Sequence, residues 1–109
     1  MNATTPDFWT MYLKAHRHRL NRRLHALGTL GYLTGLAWII AKGAWPWIPA
    51  LPIWAYGCAW TGHFGVEGNR PATFGHPFLS LWSDHRMVAL MLVGKLDAEF
   101  ERLGIPQKG

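Results

Sequence analysis

The sequence is short of cysteine, of acidic residues and of charge altogether. Cys58 is the single cysteine, so no disulfide within the chain can substitute for a core. Asp and Glu number six against eleven Lys and Arg, and charged residues make up 16% of the 109, well under the roughly 25% of soluble domains. A soluble chain of this length buries only about 60–65% of its unfolded surface, so a small globule in water fits poorly. Repeats, low-complexity tracts and a heptad seam are missing too, which removes solenoids and coiled coils. The stretch Met1–Thr10 is polar, with no apolar run ending in a small-residue cleavage site, and no cleaved secretion signal is expected there.

What the chain has is apolar. Half its residues are hydrophobic and seven are tryptophan. From Leu24 to Ala41 eighteen residues run without Asp, Glu, Lys or Arg, about 27 Å as a helix and near the thickness of a hydrocarbon core. Gly28, Gly31 and Gly35 lie within it; such residues weaken a water-exposed helix but let a neighbouring membrane helix approach closely. Gly43 to Val66 is a second such run, punctuated by Pro46, Pro49 and Pro52. The prolines predict a turn carrying Trp45 and Trp47 at an interface, then a helix. A third apolar segment, 77–94, is interrupted by Asp84, His85 and Arg86, which predicts an interfacial or re-entrant helix, with a full span as the alternative.

The pattern predicts an all-α fold: one membrane domain over 1–109, built as a small integral membrane helical bundle. Its parts are an N-terminal basic helix over 7–22, an antiparallel transmembrane hairpin with spans at 24–42 and 50–67, the third segment at 77–94, and a short amphipathic helix over 95–103 stopped by Gly104 and Pro106. Lys14, Arg17, Arg19, Arg22 and Arg23 precede the first span, Lys42 alone lies between the two, and Arg70, Arg86, Lys95, Arg102 and Lys108 follow. The positive-inside rule then places both termini in the cytoplasm and the Trp–Pro turn outside. This makes the basic residues a topology signal with a lipid bilayer as partner, rather than a nucleic-acid surface.

Of the six histidines, two stand at matching depths. His25 opens the first span, while His63 and Glu67 close the second, and in an antiparallel hairpin those ends are level. His63 and Glu67 are four apart and share a helix face. Ionisable groups at the edge of a span are costly and mark function by default. Imidazoles with a carboxylate suit non-haem iron or zinc; a His63–Glu67 hydrogen bond holding the helix end accounts for the same spacing. His16 and His25 are nine apart, on opposite faces of a continuous helix, so sharing an ion requires a break between them. Asn21, a weak helix former and good cap, is the expected place.

These residues fall into two motifs: H-x4-N-x3-H-x2-G at His16, Asn21, His25 and Gly28, and G-H-x3-E-x3-P-A at Gly62, His63, Glu67, Pro71 and Ala72. Together they resemble the small membrane family of 2-hydroxy fatty acid dioxygenases. The short chain, with RPATFGHPFLSLWSDHRM after the second motif, is similar to a compact bacterial-type branch. The resemblance implies an iron(II)-dependent dioxygenase that shortens long-chain 2-hydroxy fatty acids by one carbon using O2, here in a bacterial inner membrane. It implies that His16, His25 and His63 hold Fe(2+), with Glu67 as a fourth ligand or a carboxylate orienting a histidine. Asn21 would position the bend or bond to a ligand, and with Arg22 and Arg70 it completes the set expected to contact substrate. His18 competes with His16 for the site, while His76 and His85 fall outside the motifs. The alternative is a non-catalytic membrane adaptor or lipid-organising protein with a structural histidine cluster. The glycine-rich helix faces fit a homo-oligomer under either reading.

Overall fold

The computed structural model describes residues 7–109, apart from the side chain of Thr73; the polar N-terminal stretch read above lies largely outside them. Five α-helices and no strand occur among the described residues. They are α1 (Phe8–Lys14), α2 (Arg19–Lys42), α3 (Ala50–Trp60), α4 (Pro77–Leu92) and α5 (Leu96–Leu103).

The single basic helix expected over 7–22 is two helices. Asp7 caps α1 by accepting from the Thr10 N–H at 2.8 Å. After Lys14 the chain leaves helical geometry, and His18, extended at φ −82 and ψ 128, caps α2 through its Nδ1, which accepts from the Leu20 N–H at 3.1 Å. The break thus comes before His18 rather than at Asn21, which lies in the first turn of α2. Two things hold it there. Nη1 of Arg22 donates to the carbonyls of His16 and Arg17, each at 2.7 Å. The C-terminal tail crosses behind, with Lys108 N–H donating to Arg17 O at 2.8 Å and Arg19 N–H to Lys108 O at 2.9 Å. Backbone groups that a continuous helix would have satisfied internally are therefore paired across the break.

α2 runs to Gly43, which adopts the left-handed conformation at φ 64. A 3-10 turn at Trp45–Trp47 leads into α3, which runs on as a π-helix over Thr61–Glu67. α2 and α3 pack in opposite directions: Gly28 faces Ala55, Gly31 faces Trp54 and Gly35 faces Leu51. The glycines are there for close approach. A Cβ on Gly31 would lie 2.1 Å from Nε1 of Trp54, whose N–H donates to Leu27 O at 3.1 Å.

α4 runs unbroken through Asp84, His85 and Arg86. Those polar residues do not interrupt it because each finds a partner inside the bundle. Asp84 meets Tyr12 and His25, His85 meets Tyr32, and Arg86 lies 4.2 Å from the Trp9 ring centroid and 3.7 Å from the Glu99 carboxylate. α1, α4 and α5 enclose a small core of Trp9, Tyr12, Leu13, Met87, Leu96, Phe100 and Ile105. Elsewhere large apolar side chains are on the surface, among them Ile53, Trp82 and Phe78, the last 85% exposed. Among the described residues α2 is the one helix long and apolar enough to cross a membrane.

Candidate metal centre

The break before α2 and the π-helix after α3 bring three histidines together. His16 comes from the break, His25 from the second turn of α2, and His63 from the π-helix, a distortion frequent at functional sites. Their ring centroids are 4.4–4.9 Å apart and the rings stand 76–87° to one another. All three are buried, none more than 4% exposed. One nitrogen from each lies within 4.8 Å of the others, a grouping able to hold a metal ion.

Each ring is fixed by a hydrogen bond from its Nδ1–H. His16 donates to Tyr12 O at 2.6 Å, His25 to the Asp84 carboxylate at 3.0 Å, and His63 to Asn69 Oδ1 at 2.7 Å. The Asn69 amide is itself oriented, because its Nδ2 donates to Ala15 O at 3.0 Å. Gly68 makes this reach possible: at φ 71 it turns the chain back beneath His63, and Asn69 N–H donates to His63 O at 3.0 Å. With Nδ1 protonated in all three, each Nε2 carries a lone pair. Nε2 of His16 and Nε2 of His25 are buried with no partner among the described residues. Unpaired buried nitrogens are costly, and a metal ion shared by the three rings removes that cost, so the donor set fits a metal. Burial also drives the His16 pKa well below the ordinary histidine value, helped by the neighbouring His25 and His63, which keeps it in the neutral, ligating form.

Glu67 is not brought into the three-histidine group. Its Oε1 accepts from the His18 N–H at 2.5 Å and from Asn21 Nδ2 at 3.4 Å, tying the π-helix to the start of α2. Asn21 is fully buried in that joint, where a Cβ on Gly62 would lie 1.9 Å from its Oδ1. His18 caps α2, so His16 is the member of that pair that faces the centre. Arg22 and Arg70, expected to draw in a substrate carboxylate, lie elsewhere: Arg22 is buried against backbone carbonyls, Gln107 and the Phe100 ring, and Arg70 lies over Phe74.

The centre stands at one end of a cavity of about 410 Å³, within the range of small-ligand sites. Along α2 it is lined by His25, Thr29, Tyr32 and Leu36, a single helix face extending about 16 Å from the first to the last. Leu51, Pro52 and Ala55 of α3 form the facing wall, so the lining passes from imidazole to aliphatic.

A comparison with protein families matches residues 2–96 to the family described as 2-hydroxy-palmitic acid dioxygenase Mpo1-like. The chain belongs to the Mpo1-like family. No curated protein and no solved structure matches it. The Mpo1-like match takes in every histidine and all of α4, and ends at the first residue of α5.

Sequence reasoning misses four residues of this Mpo1-like site. Tyr12, Asp84 and His85 lie outside both motifs and Asn69 at an unspecified position of the second, yet Tyr12 stacks on His16 with centroids 3.9 Å apart, Asn69 and Asp84 orient the rings of His63 and His25, and His85 lines the cavity. The signal available for Asp84 is its position: a carboxylate amid an apolar segment has to be paired with something inside.

Proposed function

We propose that the protein is a membrane-bound, non-haem iron(II)-dependent dioxygenase acting on long-chain 2-hydroxy fatty acids. The observation that carries this reading is the convergence of three tautomer-fixed histidines, two with unpartnered Nε2 atoms, on a cavity whose α3 wall of Leu51, Pro52 and Ala55 is aliphatic. An amphiphile with an oxygenated head and a long chain matches that lining, and the family description supplies the head chemistry.

In this reading His16, His25 and His63 hold the metal. Three neutral protein ligands would leave such an ion able to take further ligands. Iron(II) bound there supplies dioxygen activation. The protein's own groups do the rest. Asp84 and Asn69 keep the rings of His25 and His63 in register, and the Tyr12 hydroxyl, bonded to Asp84, holds a proton beside the centre. The face from Thr29 to Leu36 aligns the acyl chain and excludes water. The overall change balances without an external reductant. The bond between carbons 1 and 2 breaks, carbon 1 leaves as CO2, and carbon 2 becomes the carboxyl of the shortened acid. O2 takes up the four electrons, and its two oxygens enter the products, water included.

The reading places α2 across the bilayer, with α3 and its π-helical extension as the second arm of a transmembrane hairpin. Exposed Ile53, Phe78 and Trp82 then face lipid rather than water, and both termini lie in the cytoplasm of a bacterial cell. Metal content of anaerobically purified protein, beside His63→Ala, tests the reading together with O2 uptake on 2-hydroxypalmitic acid. Near-stoichiometric iron lost in His63→Ala, with O2 uptake by the wild type, is the expected result. Folded protein that takes up no iron(II) would sink the dioxygenase and leave a non-catalytic adaptor. Stoichiometric zinc without O2 uptake would point to a structural centre.

A further inference from the structure

Ser80 sits on α4, one helical turn before Asp84, and lines the same cavity as the three histidines. It is 2% exposed, and its Oγ has no hydrogen-bond partner among the described residues. A buried hydroxyl left unpaired is costly, and an alanine at the same place would avoid that cost. Among the described residues that line the cavity, those with a buried, unpartnered side-chain polar atom are Ser80, His16 and His25. Of the other hydroxyls nearby, Tyr12 is engaged with Asp84 and Tyr32 with His85, whose Nδ1–H donates to Leu81 O at 2.8 Å, while Thr29 of α2 lines the cavity from the opposite helix.

The charge of the lining points the same way. No Lys or Arg is among the described residues around the cavity, and Arg22 and Arg70 are committed elsewhere. Among the described residues the one charged side chain in the lining is the Asp84 carboxylate, already bonded to His25 and Tyr12, so the countercharge of an anionic head has to come from the metal and its other contacts from neutral donors.

We propose that Ser80 is the residue that recognises the substrate's oxygenated head, its hydroxyl donating to an oxygen of the 2-hydroxy carboxylate at the three-histidine centre. The assignment rests on the function proposed above and adds the specificity determinant to it. A hydrogen bond to a charged carboxylate is stronger than one to a neutral alcohol, so Ser80 favours an acid over an alcohol beside the metal that supplies the countercharge.

Calorimetric titration of the iron(II)-loaded protein in detergent, under anaerobic conditions, tests this with 2-hydroxypalmitic acid and hexadecanol as probes. Ser80→Ala and the near-isosteric Ser80→Cys are compared with the wild type, with metal content and melting temperature measured on the same samples. Both variants are expected to keep the metal and to bind the 2-hydroxy acid about tenfold more weakly, the loss of one buried hydrogen bond, with a smaller loss for hexadecanol. Wild-type affinity for the acid in both variants would overturn the assignment, as would an equal loss for both ligands or a wild type that binds no acid. O2 uptake on the same samples separates the two claims. Ser80-dependent binding of the acid without O2 uptake removes the dioxygenase and leaves Ser80 as the head-recognition residue.

Discussion

The Asp84 carboxylate accepts from Nδ1–H of His25 at 3.0 Å and also from the Tyr12 hydroxyl. One residue of α4 thereby fixes a histidine of α2 and the tyrosine on which His16 stacks. Partners of this kind set ring orientation and ligand basicity, and their loss costs roughly 10–100-fold in metal affinity. Asp84→Ala is expected to weaken iron(II) binding by that factor with the helices retained, measured by competition with a chelator. Unchanged affinity would mean that the His25 ring is held by packing alone.

Glu67 gives the opposite expectation. Its carboxylate joins the His18 N–H to Asn21, a contact that Glu67→Gln preserves through its carbonyl oxygen. Glu67→Gln is expected to keep full metal content, and Glu67→Ala to lower stability by about 1–3 kcal/mol as buried donors lose their partner. A folded Glu67→Gln protein without metal would make Glu67 a ligand.

Gly62 tests how tightly the π-helix sits on α2. A Cβ there would lie 1.9 Å from Asn21 Oδ1 and 3.3 Å from Asn21 Cα. Gly62→Ala is expected to destabilise by about 1–3 kcal/mol through overpacking. Adding Asn21→Ala should recover part of that loss, because the closest clash is with the side chain. A double-mutant cycle of thermal melts reads the coupling, and strict additivity would show that the two residues do not meet.

Glu99 links stability to pH. Hydrogen bonds from Arg102 and then from Trp9 Nε1 lower its pKa from 4.5 to about 2. The folded pKa lies below the unfolded one, so the contribution is complete above about pH 4.5 and is lost as pH falls towards 2. Wild-type melting temperature should therefore drop through that window, and the drop should be shallower in Glu99→Gln. At neutral pH Trp9→Phe, which removes one donor, is expected to cost on the order of 1 kcal/mol. Identical acid profiles for the wild type and Glu99→Gln would discount the network.

Much of the helix layout is legible in the sequence because it is set by local pattern. The run from Leu24 to Ala41 has no formal charge to place, and α2 covers it; Gly43 ends that helix at φ 64, and Gly104 ends α5 at φ 68. Pro77 starts α4 where a proline costs nothing. The spacing of His16 and His25 also requires a break between them if they are to share an ion, because nine residues put two side chains on opposite sides of one helix. The position of that break is not a local matter. Asn21 has the better capping propensity, yet the chain breaks before His18, where Arg22 and the tail at Lys108 supply partners for the freed backbone.

The sequence by itself determined the helical class, the apolar segments and the histidines worth watching, since periodicity, proline placement and charge-free length act along the chain. The family followed from the two motifs for the same reason. Only the tertiary structure decided what those residues do. Asp84, Asn69 and Tyr12 are 59, 6 and 4 residues from the histidines they hold, and two of those contacts exist only because the chain folds back on itself. Glu67, at helical spacing from His63, turned to α2 because an unpaired His18 N–H and Asn21 amide lay within its reach. Arg22 was taken by carbonyls that the break had left open. A buried polar group goes to the nearest unsatisfied partner, and which partner is nearest is settled by packing, not by spacing in the chain.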